Sequence, residues 1–573
     1  MLGGLLATFP VSAGAAPVSG QPFAAYGSGA AVITKALQLG TTTVANAEAA
    51  FSGGAVNSQG LVTPVQNEFG INVAPPTPGK NALGRGTGLE AGLLLNDAQQ
   101  QATANQVLLT GLAVATAPPP EGPVVKEIPL NLNPVAYAST LRGTAAATYD
   151  PTFCPVGKPF TFGQGYAENL QVLNGGAFSP TTGFAAPTLG TSSSVGNPRA
   201  ASQSRTVTYA VPNGDGTFGV VSETRQTVAP VSLLANSALG TAITVEVGGE
   251  FGFRAVSTGK PGGSSVSYLG SPILTVSSTV AGITTNILGP IKLTDITGPQ
   301  GLVLNAPGLV LVALGAPPRA IGGPVGTTPA LAADGTSASG AADIVRLQLL
   351  GTTGLDLSLG HMEAAVTVPP GGLTCDIPVS KTASLDPVTV GQDFTFQIKI
   401  PSDPALFSSL FNCDLVNISA VDTATPKTGN PTVKFNSADH GGVVSGNTVT
   451  WANLGNYVLG QDPIVLTINA SIPRSSSAGV LQDTVNVSAT LGNCRGGANG
   501  EDIVNGSAQI TGGATLTQLN GGAIKGSVTI SAPTVSRGSL AATGGNSLPL
   551  LAGGGFILAA LGLVRLRRRA TSS

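Results

Sequence analysis

Residues 205–228 read RTVTYAVPNGDGTFGVVSETRQTV. β-Branched or aromatic residues alternate with small polar ones on both sides of Asn213-Gly214-Asp215-Gly216, and that central run supplies the positive-φ positions a tight hairpin requires. A chain carrying this segment is committed to an antiparallel pair. Residues 342–368, ADIVRLQLLGTTGLDLSLGHMEAAVTV, repeat the pattern: Val345, Leu347 and Leu349 share one face, and Leu355, Leu357 and Leu359 answer them across a Gly-Thr-Thr-Gly turn. With Gly 79 and Pro 42 among 573 residues there is punctuation for many more short strands, and 42% hydrophobic residues argue against a disordered chain. The expectation is a mainly β protein whose N-terminal region is a large, antiparallel β-sandwich-like body.

Residues 21–123 are Ala/Gly-rich and belong with that first region. Within them LEAGLLLNDAQQQATANQVLL, residues 89–109, is the best helix candidate, and the prolines of APPPEGP, residues 117–123, break any regular element. A β-rich domain is expected over 124–375 and a second domain over 376–494. Residues 495–539 have the composition of a Gly/Ser/Thr-rich spacer.

Charged residues are 9% of the chain, yet Arg565, Arg567, Arg568 and Arg569 stand within five positions. With those four set aside the 26 basic residues fall to 22 against 28 acids, so the body is acidic. No basic stripe remains for phosphates, which argues against nucleic acid as a partner. Directly before the arginines, residues 548–564 carry no charge and are just long enough for one transmembrane helix. A buried core helix is the competing reading, but Gly553, Gly554 and Gly555 weaken a helix in water, and the arginines hold a tail on the cytoplasmic side. In MLGGLLATFPVSAGAAPVSG an apolar run precedes Ala13-Gly14-Ala15, a signal-peptidase pattern, so residues 1–15 are expected to be a signal peptide. Its basic n-region is missing, which leaves a truncated signal or a plain apolar terminus as the two readings.

Ahead of the apolar run stands Leu540-Ala541-Ala542-Thr543-Gly544. Pentapeptide, apolar span and basic tail in that order resemble the sorting signal of Gram-positive surface proteins, in the LAxTG form used by class E sortases of actinobacteria. The resemblance implies that a sortase thiolate attacks the Thr543 carbonyl, expels Gly544 with all that follows, and passes Thr543 to a peptidoglycan amine. Sortase, peptidoglycan and, before sorting, the membrane are the implied partners; no cofactor is implied. A eukaryotic GPI signal shares the small residues and apolar tail, but the arginines oppose it. Residues 376–494 resemble the Ig-like conserved repeats of bacterial surface proteins through VSKTASLDPVTVGQDFTFQIKI, VTWANLGNYVLGQDPIVLTINASI and GVLQDTVNVSATL, with PSDPALFSSLFNCDLVN as an insert longer than the usual turn. AAYGSGAAV and GHMEAAVTVPPGGLTC give the first region a loose similarity to the choice-of-anchor modules of actinobacterial secreted proteins. The Ig-like resemblance implies a β-sandwich serving as a stalk or adhesive module and no reaction; the choice-of-anchor similarity supports the class of secreted protein and implies no ligand.

Cys154, Cys375, Cys413 and Cys494 allow three pairings. If pairing respects domains, Cys413 joins Cys494 and Cys154 joins Cys375; reduced buried thiols are the alternative. His361 and His440 fall in different domains, so spacing assembles neither a zinc site nor a Ser-His-Asp triad, and His361 is expected to cap a strand end. Ser257-Thr258-Gly259-Lys260 fits S-x-x-K and GRGTG at 84–88 hints at a phosphate loop; chance explains both better. Asn213–Gly216 lacks the further acids a calcium ion needs. Lys381 and Asn486, on the first and last strands of the second domain, are candidates for an isopeptide bond beside Asp422. The favoured function is a non-enzymatic, wall-anchored protein acting in display, adhesion or envelope structure. The alternatives are an anchored extracellular hydrolase with its site in the N-terminal region, and a surface protein held permanently in the membrane.

Overall fold

The computed structural model describes residues 21–535 apart from interior stretches, the longest being 66–78, 97–106, 173–187, 190–200, 496–507 and 518–526. The readings for residues 1–15, 540–544 and 548–569 lie outside the described residues. Among the described residues no helix is long and apolar enough to cross a membrane.

Two large antiparallel sheets build the first region. In one, the strands run in the order Leu302–Ala306, Val310–Leu314, Val345–Leu349, Leu355–Thr367, Ala24–Leu39, Thr42–Asn57, Ala82–Asn96 and Val107–Thr110. Strands distant in sequence thus meet at its centre, where Ala30 lies opposite His361. The other sheet takes its strands from between these two groups, Glu121–Leu132 through Ile283–Lys292. Both expected hairpins form: Arg205 pairs with Arg225 and Pro212 with Phe218, while Val345 pairs with Leu359 and Leu347 with Leu357.

Over its described residues the helix expected at 89–109 does not form, because Ala82–Asn96 and Val107–Thr110 are strands. Ala82–Asn96 is laddered to Thr42–Asn57 on one side and to Ala113–Ala117 and Val107–Thr110 on the other. Two ladders outweigh the weak helix preference of Leu and Ala.

The sheets of this region meet through glycines and hydroxyls. A Cβ on Gly86 would stand 2.0 Å from the Gln164 carbonyl oxygen, and one on Gly163 would stand 2.1 Å from that of Arg85. Backbone therefore packs on backbone, closer than the ~10 Å of sheets held apart by side chains. Around these contacts Ser52 hydrogen-bonds with Ser204 (2.7 Å) and Thr206 (2.8 Å), Thr206 with Thr224 (2.9 Å), and Thr161 with Thr208 (2.6 Å). Alternation sends Phe162, Val207 and Tyr209 to the far side of one sheet, where they cluster with Val221. It sends Tyr26, Phe51 and Leu83 to the far side of the other, against Val65.

The second domain is a sandwich filled by large side chains. One sheet holds Ser380–Ala383, Asp393–Ile400, Ile464–Ser471 and Lys434–Ala438; in the other, Asp414–Gly429 lies between Gly479–Gly492 and Thr448–Trp451. Phe394, Phe396, Trp451, Leu466, Ile468 and Val485 are buried between them. The insert holds a short helix, Pro404–Leu410, whose N-cap Asp403 accepts from the Ala405 (2.9 Å) and Leu406 (3.0 Å) N–H groups. Phe407 stacks on Phe411 at 4.3 Å. The stretch expected to be spacer contributes structure: Ala508–Thr517 pairs along Gly479–Gly492, with Ala508 opposite Leu491 and Thr517 opposite Gln482. Threonine and glycine are linker residues by composition, but in AQITGGATLT the β-branched positions suit a strand, and Pro533–Val535 pairs with it on its other side.

Candidate functional site

Lys381 sits on Ser380–Ala383, at the one fully buried position of that strand, and its side chain enters the space between the sheets. Across that space, Ala424 pairs with Asp483 and Asp422 with Val485. Asp422 and Asp483 are therefore diagonal neighbours on the inner face of adjacent strands. Lys381 Nζ contacts Asp422 Oδ1 and lies 2.5 Å from Asp483 Oδ2, and all three side chains are 0% exposed. The Phe396 ring covers the ammonium, 4.6 Å from Nζ to its centre.

One ammonium cannot neutralise two buried carboxylates, and such a cluster sheds its surplus charge by holding a proton. Burial raises the Asp422 carboxyl to about 7; the Lys381 ammonium pulls it down and the neighbouring Asp483 pushes it up. With both acids ionised, Asp422 Oδ2 and Asp483 Oδ1 would have no donor. A proton shared between the two carboxyls supplies one.

Lys381 and Asp422 are the residues expected from the sequence; Asn486 is not their partner. It is exposed, because Gly479–Gly492 turns residues 481, 483, 485 and 487 inward. Asp483 shares the parity of Leu481, Val485 and Val487, and that parity was the available signal.

Cys413, just past the helix, is bonded to Cys494, just past Gly479–Gly492. Cys375 is disulfide-bonded as well, and Cys154 lies outside the described residues. Lys158, from the first region, donates to the carbonyls of Ser408 (2.5 Å) and Ser409 (3.0 Å) at the helix C-terminal end. Burial lowers the pKa of its ammonium. This contact fastens the first region to the disulfide end of the sandwich.

His361 lies in mid-strand and not at a strand end, 6% exposed. The expectation of a strand-end cap fails because Leu355–Thr367 runs on past it to pair with Ala24–Leu39. Its Nδ1 is 2.6 Å from Asp343 Oδ1, and Arg319 holds Asp343 Oδ2 at 2.7 Å. Burial disfavours the Asp343 carboxylate, but His361 and Arg319 outweigh it and hold the group well below the usual range. His361 Nε2 faces Glu363 at 3.8 Å, an acid where a triad needs a hydroxyl. Ser257 donates to the Gly335 carbonyl (2.6 Å), while Lys260 pairs with Asp215. In GRGTG, Arg85 is buried, pairs with Glu90, donates to the Val65 carbonyl (2.9 Å) and lies 4.7 Å from the Phe51 ring centre. Asn213 donates to Thr217 Oγ1 and the Thr258 carbonyl, both at 3.0 Å, which makes it a turn residue. Among the described residues no group of three or more His, Cys, Asp or Glu side chains is arranged to hold a metal ion.

These features define a mainly β protein of several antiparallel sheets, in which a disulfide-fastened sandwich encloses a Lys-Asp-Asp cluster. No protein-family model matches the chain, and no curated protein matches it. It is similar to the crystal structure of the N-terminal domain of the Streptococcus gordonii adhesin Sgo0707, with 11% identity, coverage of 68% of this chain and 90% of that one, and a TM-score of 0.15. A likeness of that size carries no argument about fold or function.

Proposed function

We propose that this chain is an exported surface protein, joined to peptidoglycan at Thr543 by a class E sortase, whose work is display or adhesion and not catalysis. The observation that carries the reading is the order of Leu540–Gly544, the uncharged span 548–564 and the arginines at 565–569. The Cys413–Cys494 bridge supports export, since such bonds persist in oxidising compartments. The sandwich suits a stalk, and Lys158 couples the displayed region to it. His361, with a carboxylate at each ring nitrogen, is placed to brace strands rather than to activate a nucleophile.

A permanent membrane anchor is the competing reading. Mass spectrometry of peptides released from purified walls separates the two. Sorting gives a C-terminal peptide that ends at Thr543 and carries cross-bridge residues. A mature protein recovered from membranes with its arginine tail intact would sink wall attachment.

A further inference from the structure

We propose that Lys381 and Asp483 close an amide bond across the sandwich, with Asp422 as the acid that relays protons between them. The three side chains come from three strands and two sheets, and the fold alone holds them in contact. Lys381 Nζ lies 2.5 Å from an oxygen of the Asp483 carboxyl, so the amine is beside the acyl carbon it would attack. Phe396 closes the cluster, and zero exposure excludes the bulk water that would favour hydrolysis. Asp422 touches the same ammonium from the neighbouring strand. The surplus proton of the cluster makes it an acid for the Asp483 oxygen that must leave.

The atoms balance without an oxidant or a co-reactant. Lys381 begins as an ammonium and Asp483 as a carboxylate. Asp422 gives its proton to an Asp483 oxygen and takes one from Lys381; the free amine attacks Cγ, and the C–N bond replaces a C–O bond. After the attack the nitrogen loses one more proton; that proton and the one from Asp422 leave with an Asp483 oxygen as water, and Asp422, reprotonated by Lys381, ends as it began. A buried ion pair becomes a neutral amide, which removes the desolvation cost that both charges carry in the interior.

The bond would join Ser380–Ala383, where the chain enters the sandwich, to Gly479–Gly492, which is laddered to the later strand Ala508–Thr517. Pulling force would then pass through a covalent link and bypass the hydrogen-bonded ladders. That consequence rests on the display reading; the bond does not.

The test is the intact mass of the full chain, purified folded with its disulfides formed. The expected mass is one water below that of the disulfide-bonded sequence, and digestion is expected to yield a branched peptide joining Lys381 to Asp483. Lys381→Arg and Asp483→Ala are each expected to restore the missing water. Asp422→Asn, nearly isosteric, is expected to fold, by circular dichroism, and to stay at full mass. Native protein at full mass overturns the proposal without recourse to any variant. A branch at Asp422 overturns the assignment of roles.

Discussion

The two regions solve the same problem, how to span the gap between sheets, in opposite ways. In the first, Gly86 and Gly163 bring backbone onto backbone, and Ser52, Thr206 and Thr208 fill the remaining space with hydroxyl pairs. In the second, Phe394, Phe396, Ile398 and Ile400 on Asp393–Ile400 fill it with rings and branched chains. The sequences alternate alike, RTVTYAV against DFTFQIKI, but Thr faces the partner sheet in one and Phe in the other. A close glycine contact tolerates no added volume; a side-chain core is sensitive to what is removed.

The largest effect should therefore come from volume added to the first region. Gly86→Leu drives a side chain into the backbone carbonyls of Gln164 and Thr144, which cannot step aside. Its cost is expected to exceed the ~1–3 kcal/mol of ordinary overpacking. Trp451 is the single tryptophan and lies in the sandwich core, so its fluorescence reports on that domain alone. Loss of the strand signal in circular dichroism with an unchanged Trp451 transition is the expected result. If both collapse together, the two regions are one cooperative unit and the contrast fails.

Arg85→Met comes next. It leaves Glu90 buried without its guanidinium, and breaking a buried pair from one side costs about 3–5 kcal/mol. The double variant Arg85→Met with Glu90→Met is expected to recover most of that loss in denaturant unfolding. A double variant as unstable as the single would show that the charges hold the strand in place and do more than neutralise each other.

Buried acids should also give the regions opposite pH responses. Asp422 binds its proton more tightly folded, at about 7, than in an unfolded chain. Its contribution is whole below about pH 4 and is lost as pH rises through about 7. Asp343, held low by His361 and Arg319, contributes fully above about pH 4 and loses that contribution as pH falls further. Relative to the parent in its unlinked form, Asp422→Asn should gain about 2–4 kcal/mol between pH 4 and 8, read by Trp451 fluorescence. Asp343→Asn should narrow its deficit only in acid. Parallel slopes would remove the distinction.

Parity was legible in the sequence and the side that faces the partner sheet was not. Period-two alternation defines both hairpins, but the sheets of the first region are buried on both faces, so Val207 and Thr208 are equally plausible as inward residues until the sheets are stacked. The helix expected over residues 89–109 fails for a related reason, since its competing ladders come from strands far away in the chain. At the site, Lys381 and Asp422 stand out as charges in apolar alternation. Asn486 offers an amide, but the parity of GVLQDTVNVSATL turns it outward and turns Asp483 in. What no local pattern contains is the level at which one sheet sits against the other, and that level brings Lys381 to both aspartates.

The smallest effect tests the joint between the two regions. Asp403 caps the Pro404–Leu410 helix at one end, and Lys158 binds its last carbonyls at the other. Asp403→Ala removes two accepted hydrogen bonds and should cost about 1 kcal/mol, seen as a small drop in the Trp451 unfolding midpoint. Lys158→Met should leave that midpoint nearly unchanged, because Ser408 and Ser409 are only half-buried and the contact lies outside the sandwich core. Its effect should appear instead as faster proteolysis between residues 369 and 379, where the first region gives way to the sandwich. A Lys158→Met variant that lowers the Trp451 midpoint as much as Asp403→Ala would mean that the clamp supports the sandwich itself, and that the two modes of packing depend on each other through a single helix end.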